Sequence, residues 1–144
     1  MSAGTQKDSI KNIEEEIIDE FALFDDWMQK YEHLIEMGKN LPTIEDEYKN
    51  EDHRVRGCQS NVWLRAYSDK GLIYYKADSD AIITKGMISL LIRVLSGQPP
   101  QEVANAELNF IDEIGMKEHL SSTRANGLEA MIRHMRDYAN KFQN

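Results

Sequence analysis

The chain has 144 residues, 41% of them hydrophobic and 29% charged, which is enough to bury one core and too little for two large ones. Its 25 acidic and 17 basic side chains give a formal charge of −8, so the electrostatics disfavour nucleic acid or an anionic membrane as a partner. There is no apolar segment of the roughly 20 residues that a membrane span needs, and the N-terminus lacks the apolar core of a signal peptide. With a single cysteine as well, we expect a cytoplasmic protein with a disordered tail over residues 1–8.

The first part of the chain predicts two helices. Ser9 is suited to cap a helix from Ile10 to Phe21, whose apolar residues recur at helical spacing. A second helix is predicted from about Asp25 to Gly38, where the glycine ends it. The acidic, aperiodic stretch over residues 43–52 is expected to be a surface connection.

The middle of the chain predicts an antiparallel hairpin followed by a buried helix. The runs Val62–Ser68 and Leu72–Ala77 are typical of strands, and the short glycine-containing link between them makes them neighbours. The next helix is predicted from Asp80 to about Leu95, with Ser79 as its cap. Because it is apolar on nearly every face, we expect it to be central.

The last part predicts more helices. A helical turn is expected to begin near Pro100, a short helix to run from Ile111 to Leu120, and a long helix from Ser122 to Phe142. Helices, a hairpin and more helices, in that order, predict an α+β fold with an antiparallel sheet of about three strands and helices packed on it. We expect a single domain over residues 1–144.

Cys58 is the main candidate for chemistry. The predicted hairpin brings Val62 near Ala77 or Asp78, which places Cys58 close to the start of the buried helix. A helix N-terminus favours a thiolate, whereas Asp80 nearby opposes ionisation unless a cation offsets its charge. The candidate cations are Arg54, Arg56 and Arg124. Since a thiolate is the species that attacks sulfur, this arrangement suits thiol exchange or persulfide transfer.

The same residues have structural interpretations too. Taken alone, Cys58 fits a small buried hydrophobe, because free cysteine is among the most buried residue types, and its neighbours shift the balance toward chemistry. Gly57 is suited to admit a partner's backbone or to form an ordinary turn, and Asp78 and Asp80 are predicted to cap the helix rather than act as an acid–base pair. His53 is close enough in sequence to serve as a base, but we expect it to be exposed. One cysteine without a close histidine pair predicts no metal site.

Three blocks of the sequence resemble the SufE family of sulfur acceptor proteins. They are Gly57-Cys58-Gln59-Ser60-Asn61-Val62-Trp63, then Asp78-Ser79-Asp80-Ala81 with Lys85-Gly86, and Ser122-Thr123-Arg124 with Gly127-Leu128-Glu129-Ala130-Met131-Ile132. In that family a PLP-dependent cysteine desulfurase of the SufS type forms a persulfide on its own cysteine. The acceptor takes that sulfur and delivers it to the SufBCD iron–sulfur scaffold. The family shares its fold with the IscU-type scaffold proteins.

The resemblance implies roles for individual residues. Cys58 would accept the sulfur, Asp80 and Arg124 would be polar neighbours of the acceptor loop, and Ser79 would be the helix cap beside them. The supporting residues of the loop are Gly57, Gln59 and Ser60. No cofactor is implied for this chain, since PLP belongs to the desulfurase. We expect no nucleic-acid or membrane partner and a monomer or weak dimer.

Two departures from the family pattern affect the choice of partner. Asn61 stands where glutamine is common, and Arg56 stands where a proline often precedes the Gly-Cys pair. An acceptor for the sister, Csd-type desulfurase therefore remains an alternative. The others are a one-cysteine peroxidase or sulfurtransferase acting on a small molecule, and a non-catalytic interaction module in which Cys58 only fills the core.

Overall fold

The computed structural model describes residues 8–143 and confirms the predicted α+β fold. Its elements are α1 (Ile10–Phe21), α2 (Trp27–Gly38), β1 (Val62–Asp69), β2 (Leu72–Ser79), α3 (Ile82–Leu95), α4 (Pro100–Asn105), α5 (Phe110–Glu113), α6 (Met116–His119) and α7 (Ser122–Phe142). Short 3-10 turns occur at Asp46–Tyr48 and Glu51–His53. Within the described range, none of the helices combines the length and apolar character that crossing a membrane demands. The tail expected over residues 1–8 lies outside this range apart from Asp8.

Side-chain caps fix the first residues of three helices. The side chains of Ser9, Asp26 and Ser121 each accept a hydrogen bond from the backbone N–H three residues later, at 3.2, 2.9 and 3.2 Å. Each cap satisfies an N–H group that the first turn of a helix leaves unpaired. Helices α1 and α7 consequently begin at the residues that the sequence predicted.

Ser79 does not cap α3, and this prediction was wrong. The strand β2 continues through Ser79, which pairs with Val62, so that α3 begins only at Ile82. Ala81 occupies the N-cap position, and no side chain of the described residues caps it. The hydroxyl of Ser79 instead accepts a hydrogen bond from the N–H of Ala81 at 3.2 Å. It thereby shapes the connection between the sheet and the helix.

The sheet has two strands within the described residues, where about three were predicted. Other segments touch its edges only through isolated bridges. These bridges join Thr43 to Ala77, Ile73 to Gln98 and Arg54 to Trp63. Each of these segments therefore meets the sheet at a single bridge and turns away before it can form a third strand.

The hairpin turn sets the register of the two strands. Lys70 and Gly71 both have positive φ, at 52° and 82°, as a two-residue turn between twisted strands requires. Val62 consequently lies opposite Ser79. This is one to two residues beyond the predicted partners Ala77 and Asp78.

Helix α3 lies at the centre of the core, as its sequence predicted. Ten of its 14 residues are buried, whereas Ile82 in the first turn remains 64% exposed. Helix α2 packs directly against its backbone at Gly86. A Cβ atom added there would lie 2.4 Å from the carbonyl oxygen of Leu34, so only glycine permits this approach.

Two tyrosines attach α7 to the hairpin. The hydroxyl of Tyr75 in β2 donates a buried hydrogen bond to the carbonyl of Met135 at 2.6 Å. The hydroxyl of Tyr138 in α7 donates to the carbonyl of Leu64 in β1 at 3.1 Å. Because one bond runs in each direction, α7 is held across one face of both strands.

The single helix predicted from Ile111 to Leu120 is interrupted. Gly115 has a φ of 76°, in the left-handed region, and separates α5 from α6. The indole of Trp27 lies against Gly115 and stacks on the ring of His119, with ring centroids 4.3 Å apart. These contacts place the junction between α6 and α7 beside α2.

Candidate functional site

Cys58 lies in the middle of a loop whose two ends are fixed. Val55 is buried, and its N–H donates to the carbonyl of Val62 at 2.8 Å. Gly57 has a φ of 94°, a conformation that strains any residue with a side chain. Residues 56–61 therefore form a short loop that projects from a closed base.

The thiol of Cys58 rests against α7. It is half-buried, and its S–H donates to the carbonyl oxygen of Gly127 at a sulfur–oxygen distance of 3.6 Å. A cavity of about 370 Å³ opens beside the thiol. Its lining residues are Cys58, Gln59, Ser60, Ala81, Thr84, Met87, Ser121, Thr123, Arg124 and Gly127. The loop, the first turns of α3 and the first turns of α7 thus meet around Cys58.

The surroundings of Cys58 favour the neutral thiol. Burial raises the pKa of Cys58 above its ordinary value. The hydrogen bond to Gly127 acts in the same direction, because only the protonated sulfur can donate it. Of the two protonation states that the sequence left open, the loop as described therefore favours the neutral thiol.

The predicted cations divide into two groups. Arg54 and Arg56 both pair with Glu51, at 3.5 and 3.4 Å. Glu51 lies in the 3-10 turn before the loop, so both guanidinium groups are directed to that turn. Arg124 is exposed in the first turn of α7 and lines the cavity. Of the three candidates, Arg124 is therefore the one that the fold brings to the cavity.

Asp80 fixes the far end of the loop through Asn61. Its carboxylate accepts one hydrogen bond from the backbone N–H of Asn61 at 3.1 Å and another from the side-chain Nδ2 at 2.9 Å. The N–H of Asp80 in turn donates to the carbonyl of Asn61 at 3.3 Å. Asp80 is not among the residues that line the cavity, and its side-chain hydrogen bonds reach the loop at Asn61.

Asp78 belongs to an ion-pair cluster and does not cap α3. Its carboxylate pairs with Lys49 at 2.8 Å and with Lys85 at 3.3 Å. Although burial alone acts to raise it, these lysines and the N–H of Ser79 hold the pKa of Asp78 below its ordinary value. The prediction that Asp78 and Asp80 cap the helix was therefore wrong.

His53 is half-buried and not exposed as predicted, and it is not among the residues that line the cavity. Its Nδ1 lies 2.9 Å from the side-chain oxygen of Asn50, and its ring meets the edge of Tyr48. Gln59, which is exposed, and Ser60, which is half-buried, do line the cavity. The supporting residues proposed from the loop sequence are thus brought together with Cys58, and the candidate base is not.

Sequence reasoning placed Arg124 of α7 at the site but assigned no site role to Thr84, Met87 or Gly127. Thr84 and Met87 face the cavity from one side of α3, and Gly127 forms its wall on α7. Two signals pointed to Gly127: it belongs to the third sequence block that resembles the SufE family, and it is the only glycine in a long, strongly periodic helix. Thr84 and Met87 carried no such signal, because they are ordinary members of a helix that is buried on nearly every side.

Comparison with known proteins assigns the chain to a family. The sequence model of the Fe-S metabolism associated domain, SufE, matches residues 15–139. An uncharacterized SufE-like protein of Rhizobium meliloti (strain 1021) is 37% identical over 130 residues, covering 87% of this chain and 93% of that protein. The SufE-like protein 1, chloroplastic/mitochondrial, of Arabidopsis thaliana is 37% identical over 126 residues, covering 87% of this chain and 34% of that protein.

The fold is also found in a solved structure. The solution structure of a hypothetical protein from Thermus thermophilus superposes with a TM-score of 0.75 at 21% identity, covering 90% of this chain and 95% of that chain. The fold and the matched domain define a protein of the class associated with iron–sulfur metabolism. More specifically, the chain belongs to the SufE family, which confirms the resemblance carried by its three sequence blocks.

Proposed function

We propose that Cys58 accepts sulfur from the persulfide of a PLP-dependent cysteine desulfurase of the SufS type and passes it to a SufBCD-type iron–sulfur scaffold. The observation that supports this most is the placement of Cys58. In a chain of the SufE family, the one cysteine lies on a short loop with a closed base, beside a cavity. By removing sulfur from the desulfurase, the protein would also raise its turnover.

The transfer is a thiol–disulfide type of exchange. The sulfur of Cys58 attacks the outer sulfur of the donor persulfide, a new S–S bond forms, and the donor's own S–S bond breaks. The proton of Cys58 goes to the donor thiolate that leaves. Atoms and electrons balance without an oxidant or reductant, so the proposal assigns this chain no cofactor.

Opening of the loop is the step that links docking to chemistry. In the closed loop, burial and the bond to Gly127 keep the Cys58 sulfur protonated, and a protonated thiol is a poor nucleophile. Moving residues 56–61 outward would break both constraints. The exposed guanidinium of Arg124 would then be the nearby positive charge that favours the thiolate.

Closing of the loop would protect the product. A persulfide exposed to reducing thiols is lost by exchange, so the carrier must shelter it between partners. The cavity beside Cys58 offers that shelter. In this scheme Gly57 permits the tight bend of the loop, and Asp80 returns the loop to its closed position through Asn61.

Intact-protein mass spectrometry tests the proposal. The protein and its Cys58→Ser variant are each mixed with cysteine and an active desulfurase, in separate reactions with a SufS-type and a Csd-type enzyme. We expect the wild type alone to gain the mass of one sulfur atom. If neither protein gains mass while the desulfurase turns over, Cys58 is not a sulfur acceptor and the proposal fails.

A further inference from the structure

We infer that Gly127 makes room for the outer sulfur of a Cys58 persulfide, so that the stored sulfur lies against the backbone of α7. The inference rests on the proposed function, because it concerns the form of Cys58 that carries sulfur. It assigns a positioning role to a residue of α7 that lies 69 positions from the cysteine in the chain.

Gly127 is not explained by the structure of the thiol form. It lies inside a helix of 21 residues, where glycine stabilises the helix less than alanine does. Its backbone is helical, so its conformation does not require glycine. A Cβ atom added at this position would meet one atom of the described residues within 4 Å outside its own helix and its chain neighbours. That atom is the Sγ of Cys58, at an ordinary contact distance of 3.5 Å. Alanine would therefore fit beside the thiol.

Glycines that the fold does require look different. A Cβ atom on Gly86 would approach the backbone of Leu34 to 2.4 Å, and Gly57 has a positive φ. Neither reason applies to Gly127. The space that its missing side chain leaves is next to Sγ and remains available to an additional atom on that sulfur.

A persulfide needs that space. The outer sulfur is bonded about 2.05 Å from Sγ and requires its own contact distance from the surrounding atoms. Forming it also removes the proton of Sγ, and with it the hydrogen bond to the carbonyl of Gly127. A methyl group at position 127, already in contact with Sγ, would obstruct an outer sulfur on the α7 side.

The test compares Gly127→Ala with the wild type and with Asn126→Ala. The control changes the exposed neighbouring residue of the same helix and leaves the contact with Cys58 intact. Each protein is loaded with inorganic polysulfide. The Cys58 thiolate takes one sulfur, an S–S bond of the polysulfide breaks, and a polysulfide one sulfur shorter leaves. Cyanide then removes the outer sulfur as thiocyanate, and the rate of that loss measures how well the sulfur is sheltered.

We expect unloaded Gly127→Ala to unfold at the wild-type temperature or above it. Once loaded, it should lose sulfur to cyanide about fivefold faster than the wild type, which corresponds to about 1 kcal/mol of obstruction. Its unfolding temperature should fall on loading, whereas those of the wild type and Asn126→Ala should not.

Two results would overturn the inference. One is equal loss of sulfur from loaded Gly127→Ala and loaded wild type. The other is destabilisation of unloaded Gly127→Ala, because packing of the thiol form would then explain the glycine. Sulfur transfer from the desulfurase to the wild type is measured in parallel. If that transfer fails while polysulfide sulfur is sheltered in a Gly127-dependent way, the proposed function fails and the inference holds.

Discussion

Replacement of Asp80 by alanine is expected to increase the open population of the Cys58 loop about tenfold. Asp80 accepts two hydrogen bonds from Asn61, at 3.1 and 2.9 Å. A hydrogen bond to a charged group contributes about 1.5 to 3 kcal/mol net. Because Asp80 is exposed and Asn61 half-buried, hydrogen bonds to water replace much of the stabilisation from these two bonds when the loop opens. We therefore take about 1.5 kcal/mol for the pair, and about 1.4 kcal/mol corresponds to a factor of ten.

Alkylation of Cys58 by iodoacetamide measures this opening. When the loop closes faster than the reagent reacts, the alkylation rate is proportional to the open population. The rate for Asp80→Ala should therefore rise about tenfold at fixed pH. Asp69→Ala is the matched control, since it removes an exposed carboxylate at the opposite end of the hairpin. Thermal unfolding of all three proteins shows whether the effect is local.

An unchanged alkylation rate in Asp80→Ala would refute the reasoning, because it would mean that the bonds to Asn61 do not hold the loop. An equal rise in Asp69→Ala would also refute it. In that case loss of a surface carboxylate, and not loss of the contact with Asn61, would be the cause.

Two further predictions concern the core and the thiol. Gly86→Ala should destabilise the protein by about 2 kcal/mol in urea unfolding, since overpacking against the carbonyl of Leu34, 2.4 Å from the new Cβ atom, outweighs the helix propensity gained. The pH profile of Cys58 alkylation should have its midpoint above that of cysteine in an unstructured peptide, because burial raises the pKa of Cys58. Since the folded state holds this proton more tightly, its stabilising contribution is complete below the unfolded thiol's pKa and is lost as pH rises through the folded-state value. Cys58→Ser should lack this alkaline loss of stability.

The controls for these predictions come from the same chain. Gly127→Ala makes the same chemical change as Gly86→Ala in a helix interior, but its Cβ atom would be at a contact distance of 3.5 Å. Equal stability of Gly86→Ala and the wild type would contradict the packing that we describe for α2 and α3. An alkylation midpoint below that of the peptide would contradict the resting neutral thiol.

Local sequence patterns, such as helix caps and turn residues, predicted most of the helices and the hairpin. Ser9 identified the start of α1, and the glycine-containing link identified the hairpin. The start of α3 was misplaced because Ser79 fits two patterns, a helix cap and the last residue of a strand. Pairing with Val62 decides between them, and that depends on the strand register. The sequence around Gly115 was compatible with one continuous helix from Ile111 to Leu120. Only the left-handed φ of Gly115 in the structure shows that the helix breaks there.

The candidate site was predictable as far as the loop and no further. Cys58 was identified as the only cysteine, between a glycine and a strand. The pairing of Arg56 with Glu51 depends on a 3-10 turn that sequence patterns did not reveal. The contributions of Thr84 and Gly127 depend on how α3 and α7 cross, which is set by packing between residues far apart in the chain.

In the proposed transfer, the closed base of the loop would also limit how far Cys58 can carry sulfur. Val55 and Val62 are joined by a hydrogen bond, and Cys58 is the third residue after Val55. An extended chain spans at most about 3.3–3.6 Å per residue. The chain from Val55 to Cys58 therefore lets Cys58 reach at most about 10 Å from the base of the loop. In the proposed transfer, the reacting sulfur of a donor or recipient would have to come within bonding distance of a point that Cys58 can reach. A partner whose reactive cysteine lies deeper than this beneath a rigid surface would be out of reach, so its cysteine must extend toward the loop.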